Sequence, residues 1–152
     1  MKHSAAGYNV LSYLLKKSVL SYKRAIEWAY SQYTDEGIDP FIEKISLASD
    51  VSEMLELIRN EFQVYGEPSQ DFLAGEAASQ YSKEQLSLYD AIARIIFDLD
   101  LELPEEDRQE LYIAEDYFGW HNQAEIEAEK HVLPIFSKYR LIYEHAVVRF
   151  GV

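Results

Sequence analysis

Two pairs of side chains have the types and spacing to share a metal ion. His121 with Glu125 and Glu127 with His131 stand four residues apart, which places each pair on one face of a helix. Helical bundles build dinuclear carboxylate centres from Glu-x-x-His pairs. Three positions before His121, His131 and His145, however, stand Phe118, Ala128 and Ile142, so that motif is missing. The two pairs read first as ordinary neighbours on solvated helices, and a metal-dependent enzyme with a carboxylate and histidine site is the second alternative. Paired carboxylates also act as general acid and base once one of them is desolvated, but these acids come in runs, which implies water. Phosphate loops, nucleophile elbows and the His-Glu-x-x-His zinc helix have no match in the chain. The sequence therefore predicts no catalytic residues, no metal and no cofactor, and a protein that is not an enzyme.

A stronger feature is chemical without being catalytic. Between Asp98 and Glu129 lie Asp98, Asp100, Glu102, Glu105, Glu106, Asp107, Glu110, Glu115, Asp116, Glu125, Glu127 and Glu129, with Arg108 the one Lys or Arg among them. The chain as a whole carries 27 acids against 14 Lys and Arg, a formal charge of −13, so nearly all of its acidity is local. Three of these acids, Glu105, Glu106 and Asp107, suit a helix N-terminus, where each is worth about 0.3–1 kcal/mol. The others repel one another at i, i+4 spacing with only Arg108 in the stretch to relieve them. Tyr112, Tyr117, Phe118 and Trp120 are interleaved with them, and Tyr and Trp in charged surroundings are the material of binding hot spots. The predicted partner-binding residues are Asp98, Asp100, Glu102, Glu105, Glu106, Asp107, Glu110, Tyr112, Glu115, Asp116, Tyr117 and Trp120, with Tyr112 and Trp120 as anchors.

The elements that position these residues read as helices throughout. Tyr8, Leu11, Leu14 and Leu15 predict a first helix over 7–17, and Ser21 caps a second whose apolar face is Tyr22, Ala25, Ile26, Ala29, Tyr30 and Tyr33. Asp39-Pro40 starts a short third helix. Asp50-Val-Ser-Glu53 opens a fourth that continues to Gly66. Residues 69–81 are balanced between loop and helix because Gly75 interrupts the pattern. Ser82-Lys-Glu-Gln85 reads as a capping box for a buried helix through Leu88, Ile92, Ile95, Ile96 and Leu99. Leu103-Pro104 begins the next helix, with Leu111, Ala114 and Phe118 inward and Gly119 at its end. Asn122-Gln-Ala-Glu125 opens the last, in which Pro134 predicts a kink or a restart. The expected fold is all-α, one domain over 1–152, an irregular bundle of seven or eight helices.

Composition limits the remaining classes. A hydrophobic share of 48% with 12 Tyr excludes a disordered acidic tail. The chain has no cysteine, which removes disulfides and thiolate sites and fits a reducing compartment. No apolar run reaches the length of a membrane span, and the N-terminus lacks a signal-peptide core, so a cytoplasmic location is expected. Negative charge argues against nucleic acid or an anionic membrane as the partner and favours a basic protein.

Several segments resemble an uncharacterised helical family of bacterial immunity proteins, which neutralise the toxin domains of contact-dependent and other polymorphic toxin systems. They are Ala25-Ile-Glu-Trp-Ala29, the Ile38-Asp-Pro40 restart, Leu47-Ala48 before Asp50, and the Trp120-His121 pair. The resemblance implies a stoichiometric inhibitor of a basic toxin, often a nuclease, and no catalytic residues. The competing expectation is a structural or regulatory helical subunit that associates through Val132–Phe150, where Tyr139, Tyr143 and Phe150 share a face. Oligomeric state is not readable from the pattern.

Overall fold

The computed structural model describes residues 3–98 and 103–152, and every regular element in them is helical. An isolated bridge between Thr34 and Gly37 is the nearest approach to a strand among the described residues. The chain forms an all-α helical bundle that divides into two compact units, Met1–Pro68 with Ala146–Val152, and Ser69–His145. The break falls inside Glu67-Pro68-Ser69, where the sequence reads as loop. Asp100, Glu102 and Leu99 lie outside the described residues.

The first unit contains α1 (Ala5–Lys16), α2 (Tyr22–Ser31), α3 (Pro40–Ser46), α4 (Val51–Phe62) and a 3-10 turn, Val148–Phe150. Local chemistry sets the starts of these helices. The side chains of Ser4, Ser21, Asp39 and Asp50 accept from Gly7 N, Arg24 N, Phe41 N and Glu53 N, taking up donors that a helix leaves free. At α4 the return bond of the box goes to Ser49, whose N–H and hydroxyl both reach Glu53 Oε2. The core holds Tyr8, Leu11, Leu14, Ile42, Ile45, Met54 and Ile58. An aromatic group of Tyr8, Trp28, Phe41, Phe62 and Phe150 joins it, with centroid separations from 4.4 to 6.3 Å.

Two expectations fail in this unit. On α2 the buried residues are Ala25, Trp28 and Ala29, while Tyr30 is exposed and Tyr22 and Tyr33 sit at the rim. Those two rim tyrosines use their hydroxyls on Ala48 O and Ser46 Oγ. α4 stops at Phe62 because Gln63 adopts a left-handed conformation, φ 59°, and turns the chain back over α1. Asn9 fastens the returning strand of chain: its Oδ1 accepts from Gly66 N and Glu67 N, and its Nδ2 donates to Glu67 O. Gly66 fits there because its φ is +77° and a Cβ would meet Tyr13 N at 3.1 Å.

The second unit contains α5 (Gln70–Ser82), α6 (Leu88–Ala93), a π-helical turn (Arg94–Asp98), α7 (Glu105–Tyr117) and most of α8 (Ala124–Val147). The segment that the sequence left balanced between loop and helix is helical over Gln70–Ser82, capped by Ser69 on Phe72 N. Gly75 is the contact point of that helix: a Cβ there would stand 2.1 Å from Tyr139 O, so only glycine lets α5 lie against α8. Ala74, Ala77, Ala78, Leu88, Ile92, Ile95, Leu111, Ala114, Val132, Ile135, Phe136 and Tyr139 form the core.

The second capping box is corrected. Ser82 is the last residue of α5, Glu84 turns left-handed at φ 59°, and Ser87 caps α6 on Asp90 N at 3.1 Å. The burial that carries α5 through Ser79 and half-buries Tyr81 outweighs the local cap. The Asn122 box does not start α8 either. That helix begins at Ala124, and His121 Nδ1 accepts from Gln123 N at 3.0 Å. Pro134 neither breaks nor restarts α8; it is exposed, so water can reach the carbonyl that its missing N–H leaves free.

Candidate protein-binding surface

The surface is built on α7. Leu111 and Ala114 have no exposure and fix which way the helix faces, toward α6 and the second unit's core. Pro104 precedes it without a side-chain cap, and Glu105, Glu106 and Asp107 occupy the first turn, where the exposed N–H groups favour negative charge. With the inward face fixed, the spacing of 3.6 residues per turn sends Glu105, Gln109, Tyr112 and Asp116 outward along one line. Glu106 and Ile113 flank that line, and all six are exposed.

Gly119 and Trp120 continue the stripe past the helix end. Gly119 N donates to Asp116 O and Trp120 N to Tyr117 O, at 3.0 and 3.3 Å, in a tight final turn. Trp120 is 66% exposed, and its indole Nε1 donates to Asp116 Oδ2 at 3.1 Å. One carboxylate therefore orients the most exposed large aromatic on this element. Tyr117, Trp120 and His121 pack mutually, with centroids 5.2–5.7 Å apart, two of the three pairs in edge geometry.

The remaining predicted residues divide by their partners. Asp107 and Glu110 point toward α8. Asp107 accepts from Lys138 Nζ and from the Tyr139 hydroxyl, the latter at 2.6 Å. Burial by itself would raise the Asp107 pKa; the two hydrogen bonds and the Lys138 charge outweigh it and hold the carboxyl below its ordinary value. The same contact, added to burial, raises the Tyr139 phenol. Glu110 Oε2 lies 2.7 Å from His131 Nδ1, and His131 Nε2 lies 3.3 Å from the Tyr117 hydroxyl, so one imidazole bridges both helices. Glu115 is half-buried, and Asp98 is exposed at the end of the π-helical turn.

These contacts change the charge argument. Two of the bases that relieve the acidic stretch lie just outside it, as Lys130 on Glu127 and Lys138 on Asp107, and His131 takes up Glu110 in a hydrogen bond. The hydrogen bond from Lys130 lowers the Glu127 pKa. Glu129 accepts from the Tyr81 hydroxyl at 2.9 Å, and burial followed by that bond pushes the Tyr81 pKa up to about 12. What stays outward is a narrower surface: Glu105, Glu106, Tyr112, Asp116 and Trp120, joined by Gln109 and Ile113, which the acid and aromatic pattern passed over. The signal that would have found Ile113 is its place opposite Leu111 on the helical wheel.

The other candidates of the sequence resolve as follows. Among the described residues no group of three or more His, Cys, Asp or Glu side chains is placed to hold a metal ion. The apolar face of the last segment, Tyr139, Tyr143 and Phe150, is buried against partners of its own chain such as Asp107, Phe72 and Trp28. No described helix is long and apolar enough to cross a membrane. Comparison of the chain with protein-family models, curated proteins and solved structures found no match in any of the three.

Proposed function

We propose that the outward face of α7 and its closing turn is the surface through which this protein binds a basic protein partner. The observation that carries the reading is Trp120: a large aromatic, two-thirds exposed, held by Asp116 at the end of a line of uncompensated acids. An exposed indole is costly to leave in water and is the commonest kind of anchor in an interface, while the acids around it select a positive partner and speed encounter. In the setting that the sequence resemblance implies, the partner is a bacterial toxin domain in the cytoplasm, neutralised by stoichiometric binding. A nuclease toxin fits well, since a cleft that attracts phosphates must be basic. Tyr112, 43% exposed two turns before Trp120, is the second anchor.

The test is association kinetics with each basic toxin domain encoded beside the gene. Glu105→Lys with Glu106→Lys is expected to slow association and flatten its dependence on salt, while Trp120→Ala raises the off-rate. Asp107 is left intact because its contacts are internal. Unchanged kinetics in both variants would sink the reading. The alternative of a structural subunit is favoured by a different feature, the exposed Ile126, Leu133 and Leu141 on α8, and predicts a complex that persists at high salt.

A further inference from the structure

We propose that the outward face of α8 is a self-association surface, on which a second copy of this chain lies antiparallel about a two-fold axis at Ser137. This surface is separate from the α7 face, and its test needs no other partner. The buried side of α8, formed by Val132, Ile135, Phe136, Tyr139 and Tyr143, fixes the direction of the rest. On the opposite side Lys130, Leu133, Ser137, Leu141 and Glu144 are all exposed. At the α-helical turn of about 100° per residue, these five fall within about 40° of one line. Leu133 is 44% exposed and Leu141 53%.

Single exposed apolar side chains are ordinary. The order along this line is what points to a second copy. Leu133 and Leu141 stand four residues before and after Ser137, and Lys130 and Glu144 stand seven before and after it. In a two-fold contact each position meets the one equally far on the other side of the axis. Leucine therefore meets leucine twice, lysine meets glutamate twice, and the small serine occupies the crossing point, where two helices come closest.

Charge supports the same occupant. Two copies of formal charge −13 repel each other and need a place of contact that is not acidic. Residues 130–145 supply one, with Lys130, Lys138 and Arg140 against Glu144 alone. Within one copy Lys130 lies 3.0 Å from Glu127 and Arg140 lies 3.5 Å from Glu144. Such exposed pairs contribute little by themselves. Across the axis they join into a chain of alternating sign, from Glu127 through Lys130 to Glu144 and Arg140 of the second copy, and the symmetry forms it twice. The contact from Lys130 to Glu144 covers about 21 Å of helix, small for a specific interface, so the dimer is weak, with a dissociation constant on the order of 0.1 mM.

The experiment is sedimentation equilibrium of the full chain up to about 1 mM, tenfold above that constant. A reversible monomer–dimer equilibrium is expected. Lys130→Glu and Glu144→Lys, each checked by circular dichroism, should each weaken the dimer about tenfold, because two attractions become two repulsions. Lys130→Glu combined with Glu144→Lys should restore it. Register is read with cysteine, which the chain lacks. Ser137→Cys, on the axis, should oxidise to a disulfide dimer far faster than Ser52→Cys, which is equally exposed on α4. Leu133→Cys and Leu141→Cys should crosslink to each other when mixed and not to themselves. The proposal is overturned if the chain is monomeric throughout this range, if the charge swap fails to restore association, if Ser137→Cys crosslinks no faster than Ser52→Cys, or if Leu133→Cys links to itself.

Discussion

Gly75→Ala is the perturbation whose sign depends most directly on the packing described above. On sequence grounds it should help, because Ala is favoured over Gly inside a helix by about 1 kcal/mol. Geometry argues the other way. The added Cβ would stand 2.1 Å from Tyr139 O, 2.8 Å from Tyr139 C and 2.8 Å from Tyr143 Cβ. Carbon meets a carbonyl oxygen comfortably at about 3.3 Å, so α5 and α8 must part by about 1 Å, and the obstructing atoms are backbone and cannot rotate aside. Such overpacking costs about 1–3 kcal/mol; taking the upper end and subtracting the propensity gain leaves a net loss of about 2 kcal/mol. For a chain of this size that is a fall in Tm of about 4–8 °C. Urea and thermal unfolding followed by far-UV circular dichroism measure it, with Gly119→Ala as the control, since its Cβ meets only Asp116 O at an ordinary 3.4 Å. A Gly75→Ala protein as stable as the parent, or more so, refutes the close approach of α5 to α8.

Three further outcomes follow from named contacts. Asp107→Asn should lower stability at neutral pH by about 1.5–3 kcal/mol, the worth of a charge-assisted bond, measured by urea melts. Because the folded Asp107 pKa lies below its unfolded value of about 3.9, its contribution is complete above that value and is lost as pH falls through the folded one; the variant should therefore show a flatter acid limb in a pH series of melts. Ser12→Ala removes a buried hydroxyl without a partner and should raise stability by about 1 kcal/mol, read by urea melts. Trp120→Ala should leave unfolding within about 0.5 kcal/mol of the parent yet raise the off-rate from the basic partner about thirtyfold, the equivalent of about 2 kcal/mol at a hot spot; surface plasmon resonance reads the second and calorimetry the first.

The helices whose starts were legible are those set by bonds two or three residues long. Ser21, Asp39 and Asp50 each cap the helix that follows, because the interaction is complete within the local sequence. Ser82 carried the same local pattern and failed, since the residues around it were claimed by burial on α5. Gly75 was read as a weakness for want of its partner Tyr139, which stands far along the chain. The candidate surface behaved likewise. Tyr112 and Trp120 are exposed, as their charged surroundings implied, whereas Asp107 and Glu110 turn inward to Lys138 and His131, which only the packing of α7 on α8 brings near. Trp28 was passed over on α2 because its neighbours Tyr30 and Tyr33 completed a more regular helical pattern, and the aromatic group that buries it includes Phe150 from the far end of the chain.

The most direct test of the proposed surface is site-specific photocrosslinking in the source cells, with a photoreactive phenylalanine at Tyr112 in one strain and at Trp120 in another. Tyr30, an equally exposed tyrosine on α2, provides the control position. The account predicts that both α7 positions capture the same basic protein, that Tyr30 does not, and that Glu105→Lys with Glu106→Lys removes the product. Capture of that protein from Tyr30 alone, or of no protein from either α7 position, would contradict it.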